Sequence, residues 1–175
     1  MYPRRIAVLV ASLLLLTLGL GCYETKYPLG SAENATVDRA FVGNFTMKDG
    51  NVDSIVIRNL DGKRYYVEYV GNDQKDKQPM RMVGYTTDVG GVTFANLQQL
   101  TDDGSIDDKF LIMRISLSAD HATLSLRGLK EEFFKDKDVN SSADLEKVIQ
   151  ANLDNDQMYD GPEAIATRTA AATQP

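Results

Sequence analysis

Lys109–Arg127 reads KFLIMRISLSADHATLSLR, and its alternation decides the fold. Leu111, Met113, Ile115 and Leu117 fall on one face of an extended chain, with Arg114 and Ser116 on the other. After Ser118-Ala119-Asp120 the pattern repeats: Ala122, Leu124 and Leu126 oppose His121, Thr123, Ser125 and Arg127. Successive side chains of a strand point to opposite faces, so this stretch predicts an antiparallel pair with one face in a core and one in water.

Upstream, Phe41–Lys48, Val52–Leu60, Lys63–Gly71, Met80–Asp88 and Val92–Leu100 read as five more strands. Asp49-Gly50 and Asp61-Gly62 predict tight hairpins, because a type I′ turn needs positive φ at both central residues. Gly90-Gly91 predicts another, and Asn72–Lys77 reads as a polar, mobile loop. About seven strands at roughly ten-residue spacing predict a mainly β domain, an antiparallel meander forming a curled sheet or small barrel. Downstream of Gly128 the period becomes helical. Leu129, Phe133 and Phe134 mark a short helix; Ser141 to Asp144 starts a second, whose stripe is Leu145, Val148, Ile149 and Leu153. One or two C-terminal helices are expected, with the stripe buried at the mouth or edge of the sheet. The domain is placed at 39–154, and 155–175, ending in the small and polar GPEAIATRTAAATQP, reads as a disordered tail.

The N-terminus says where the chain goes. Arg4 and Arg5 precede fifteen uncharged residues, Ile6–Leu20. As a helix these would span only about 22 Å against a hydrocarbon core of about 30 Å. Residues 1–21 therefore read as a secretory signal. Residues 22–38 read as a cysteine followed by a flexible tether, reaching at most ~55 Å when extended. The 175 residues carry 19 basic and 25 acidic side chains, one His, one Cys and no Trp. A net charge of −6, falling to −8 with loss of Arg4 and Arg5, gives no footprint for nucleic acid. One Cys excludes an internal disulfide or a Cys cluster for zinc.

Leu18-Gly19-Leu20-Gly21-Cys22 resembles the lipobox of bacterial lipoproteins, although Gly19 stands where that family usually has Leu. The resemblance implies that Cys22 is lipidated and becomes the first mature residue, anchoring the chain to the membrane of a bacterial cell envelope. In a diderm bacterium, Tyr23, where inner-membrane retention would use Asp, implies an outer-membrane anchor facing the periplasm. The strand pattern with Gly43-Asn44-Phe45 is similar to the calycin group, which includes lipocalins; Phe45 stands where lipocalins carry Trp.

The search for chemistry returns little. His121, the only histidine, falls in a turn with no nucleophile placed beside it. Asp102, Asp103, Asp107 and Asp108 crowd one loop, and Asp154, Asp156 and Asp160 another, without EF-hand spacing. Both read as solvated charge. Sequons at Asn34, Asn44 and Asn140 carry no meaning in a bacterium. No catalytic residue, metal or cofactor is expected. Tyr65, Tyr69, Tyr85 and Phe94 either line a ligand cavity in a small barrel or fill its core, with filling preferred. The function expected is a non-enzymatic, lipid-anchored binding or interaction module meeting an envelope protein; the alternative is a lipocalin-like carrier of a small apolar ligand.

Overall fold

The computed structural model describes residues 22–47, 54–71 and 79–169. The wall consists of β2 (Gly43–Met47), β3 (Ser54–Asn59), β4 (Tyr65–Val70), β5 (Met80–Val89), β6 (Val92–Leu100), β7 (Phe110–Leu117), β8 (Thr123–Gly128) and β9 (Ala164–Thr169). Each is antiparallel to its predecessor, and β9 also pairs with β2, with Phe45 opposite Arg168. The eight strands therefore close into an antiparallel barrel with no free wall edge. A two-residue β1 (Glu24–Thr25) adds to the start of β7.

The expected alternation holds. Leu111, Met113, Ile115 and Leu117 face inward, as do Leu124 and Leu126. The β5–β6 hairpin closes on Gly90-Gly91 with φ of 61° and 83°, as a type I′ turn demands. Asp61-Gly62 forms a longer turn instead: only Gly62 has positive φ, and the Asp61 carboxylate accepts the Lys63 and Arg64 N–H groups. Gly84 is required for packing, since a Cβ there would collide with the Asn96 carbonyl oxygen. The expected features at residues 1–21, Asp49-Gly50 and Asn72–Lys77 lie outside the described residues.

Two expectations at the chain ends are corrected. The stretch read as a disordered tail contains β9, whose inward residues Ala164 and Ala166 are too small to register as an apolar stripe. The stretch read as a tether is stitched along the barrel's outer wall. Tyr23 N–H donates to the Leu129 carbonyl (2.9 Å), and its ring stacks on Phe134. Leu29 is fully buried; the Asn96 side chain accepts its N–H (2.7 Å) and donates to its carbonyl (3.2 Å). Val37 N–H donates to the Gly62 carbonyl, and Asp38 N–H to the Tyr65 hydroxyl. Residues 22–38 thus run as a strap along the barrel and enter it through a 3-10 turn, Arg39–Phe41.

The helices also sit elsewhere than expected. The short α1 (Glu131–Phe134) and α2 (Ser142–Gln150), the latter capped by the Ser141 hydroxyl, cover the outer wall and not a mouth. Leu145 and Ile149 bury there against Val89, Phe94 and Ile112, which point outward from β5, β6 and β7. The molecule therefore has a second core outside the barrel, closed by Leu29, Leu129, Met158 and Tyr159.

Candidate ligand cavity

The inward faces do not meet at the centre of the barrel. They enclose a cavity of about 430 Å³. Tyr65, Val67 and Tyr69 of β4 line it beside Met80, Met82 and Thr86 of β5; Leu111, Met113 and Ile115 of β7 line the opposite side. The geometry follows from strand number, because eight tilted strands give an interior just wide enough for side chains to fill or for one small ligand. Here the inward set includes Gly84, Ala95, Ala164 and Ala166, too little volume to fill it.

One end of the barrel is sealed. Arg168 of β9 lays its guanidinium over the Phe45 ring, 4.5 Å from the centroid. Its nitrogens donate to the carbonyls of Ala40, Val42 and His121 at 2.5, 2.7 and 2.7 Å. A planar fork of donors suits this task, since it satisfies several carbonyls at once while stacking on an aromatic face. Phe41 and Val37 bury beneath the 3-10 turn at the same end. The strands bring Met47, Tyr69, Met80, Leu97, Leu111 and Leu126 together at the other end, where Cys22 joins the lining.

The cavity's polar groups are few. The Tyr65 hydroxyl is held by the Asp38 backbone, and its pKa is raised chiefly by burial. Burial pushes Tyr85 up to about 12. Burial also raises the Cys22 thiol, helped by the negative charges of Asp160 and Glu24, so it stays protonated at neutral pH. No Asp, Glu, Lys, Arg or His lines the cavity among the described residues. Of the four aromatics singled out in the sequence, Tyr65 and Tyr69 point into the cavity, which corrects the preference for a filled core; Tyr85 touches it, but its register with Asn96 turns its side chain to the outer face under the strap. Tyr85 also borders a second recess of about 290 Å³ between the wall and the strap, whose lining includes Arg64 and Gln98. Phe94 is corrected outright: it faces outward and is fully buried beside Ile112 and Ile149. Sequence reasoning missed the methionines. Met47, Met80, Met82 and Met113, four of the six in the chain, line the cavity, and all four fall on inward positions of expected strands.

The remaining candidates lie away from the cavity. His121 is exposed in its turn with φ of 56°. The Thr101 hydroxyl and Ser105 hold Asp103 down to about 2, and Asp108 pairs with Lys26 at 3.0 Å. Among the described residues no group of His, Cys, Asp or Glu converges as a metal site. No protein-family model, curated protein or solved structure matches this chain.

Proposed function

We propose that the protein is a lipid-anchored, non-enzymatic lipoprotein of the bacterial cell envelope whose barrel holds one small apolar ligand. The observation that carries the ligand reading is the cavity: about 430 Å³, with Thr86, the Tyr65 and Tyr69 hydroxyls and the Cys22 thiol as the side-chain polar groups pointing into it among the described residues. That volume lies within the roughly 300–1,000 Å³ usual for small-molecule sites. Of the two readings the sequence left open, this favours the carrier over a surface that meets an envelope protein. The methionine-rich lining supports a ligand recognised by shape and apolarity, because unbranched thioether side chains adapt to irregular apolar partners. The anchor rests on the leader and Cys22, and the outer membrane facing the periplasm is the favoured address because Tyr23 follows the cysteine.

Native mass spectrometry of the unlipidated Cys22→Ser protein, followed by titration with diphenylhexatriene, an uncharged rod-shaped fluorophore, tests the reading. One apolar occupant per chain, or saturable binding of one fluorophore, is expected. A barrel that carries no occupant and binds no fluorophore refutes it. Cys22→Ser should abolish detergent partitioning that depends on the lipid; unchanged partitioning and processing refute the anchor.

A further inference from the structure

We propose that the cavity's resident occupant is one of the acyl chains carried on Cys22 itself, so that the barrel sheathes part of its own anchor. The inference rests on the lipid-anchor reading and names the occupant of the same cavity.

The cavity is the site, and Cys22 marks where a chain enters it. Cys22 is not at the far end of a tether: its backbone bridges to Lys130, and the next N–H donates to the Leu129 carbonyl at 2.9 Å. Gly128 of β8 leaves the sulfur room, since a Cβ added there would lie 3.1 Å from Sγ. The sulfur is therefore held against the wall at the end away from the Arg168 seal, where the residue contributes to the lining. An acyl chain on the glycerol linked to the sulfur would start at the cavity it is proposed to occupy.

Size and charge both select this occupant. Taking roughly 30 Å³ for a group the size of a water or methylene, about 430 Å³ holds about fourteen such groups, the bulk of a single chain. The lipobox resemblance implies three chains on the cysteine, so sheathing one leaves two in the bilayer. Two chains hold stably where one binds only marginally, so attachment survives. A free fatty acid would bring a carboxylate to a lining that offers no cationic side chain among the described residues. An acyl chain esterified to a sulfur-linked glycerol brings no charge, and so avoids the cost of burying one unpaired.

The test is intramolecular cross-linking in the native protein. Cells are fed a fatty acid carrying a diazirine near its end, the envelopes are irradiated, and digested protein is read by mass spectrometry. The expected product joins the Cys22 peptide, through its acyl chain, to wall peptides containing Tyr65 or Leu124, which line the cavity towards the Arg168 end, and it is lost when the barrel is unfolded in urea before irradiation. Cross-links from the Cys22 peptide to bulk lipid alone overturn the inference. Wall peptides joined to unattached phospholipid also overturn it, while leaving the ligand-holding reading intact. A Cys22 peptide with no added acyl mass removes the anchor reading and this inference together.

Discussion

Replacing Ala95 with Leu should stabilise the barrel, whereas the same change at Ala166 should destabilise it. Both alanines face inward and both are buried, at 6% and 0% exposure, but only Ala95 lines the cavity. A cavity lining lacks partner atoms on its open side, so the barrel gains from an apolar group placed there. Leu adds three carbons over Ala, which at about 0.8 kcal/mol per buried methylene is about 2 kcal/mol. At roughly 4 °C per kcal/mol for a domain of this size, Ala95→Leu should raise Tm by about 8 °C. Ala166 packs directly between Met47 and Leu124 in the register, so three further carbons overpack the wall and cost about 1–3 kcal/mol. Thermal melting followed by circular dichroism, with and without diphenylhexatriene, reads both. The wild type should gain more from the fluorophore than Ala95→Leu does, because bound ligand stabilises by mass action and the variant has less room for it. Two variants that melt alike, both below the wild type, would refute the cavity.

Arg168→Lys should cost about 2–4 kcal/mol despite keeping the charge, since an ammonium cannot serve the Ala40, Val42 and His121 carbonyls together while stacking on Phe45; urea unfolding checks it. Alkaline titration should reveal Tyr85. Its folded pKa is raised to about 12, so the stability it contributes is complete below the unfolded value near 10 and is lost as pH climbs from there towards 12. Tyr85→Phe should flatten that loss, and an identical alkaline profile in the variant would show that the tyrosine is not buried as described.

The wall was legible wherever its inward residues are large. Seven of the eight barrel strands announce themselves through Leu, Ile, Val, Met, Phe or Tyr at alternate positions, and α2 through its stripe and the Ser141 cap. The last strand was not, because Ala164, Ala166 and Arg168 occupy the positions where apolar bulk would have signalled a strand. The strap was illegible for a different reason. Its anchors, Leu29 on Asn96 and Asp38 on Tyr65, are long-range pairings that leave no local period. Phe94 misled because β6 is apolar on both faces, with Ala95 and Leu97 inward and Phe94 buried outside. The cavity itself lies beyond any alternation rule. Period-2 patterning says which way a side chain points, and only the number of strands and the summed volume of the inward set decide whether opposite walls touch.

The seam of the barrel has a consequence for how the chain reaches its final state. Arg168 bonds to Ala40 across 128 residues, and β9 is the strand that joins both β2 and β8. A chain made N-terminus first can therefore close the barrel only once β9 has been added to β2–β8. Until then two strand edges stand unpaired and the apolar interior faces solvent, the condition under which β proteins associate wrongly. Loop closure over such a span costs entropy before the contacts it makes repay it, and topologies built on such pairings fold slowly. Six residues that look like a tail act as the latch, and a chain lacking them is left with an unclosed sheet in place of a slightly smaller barrel.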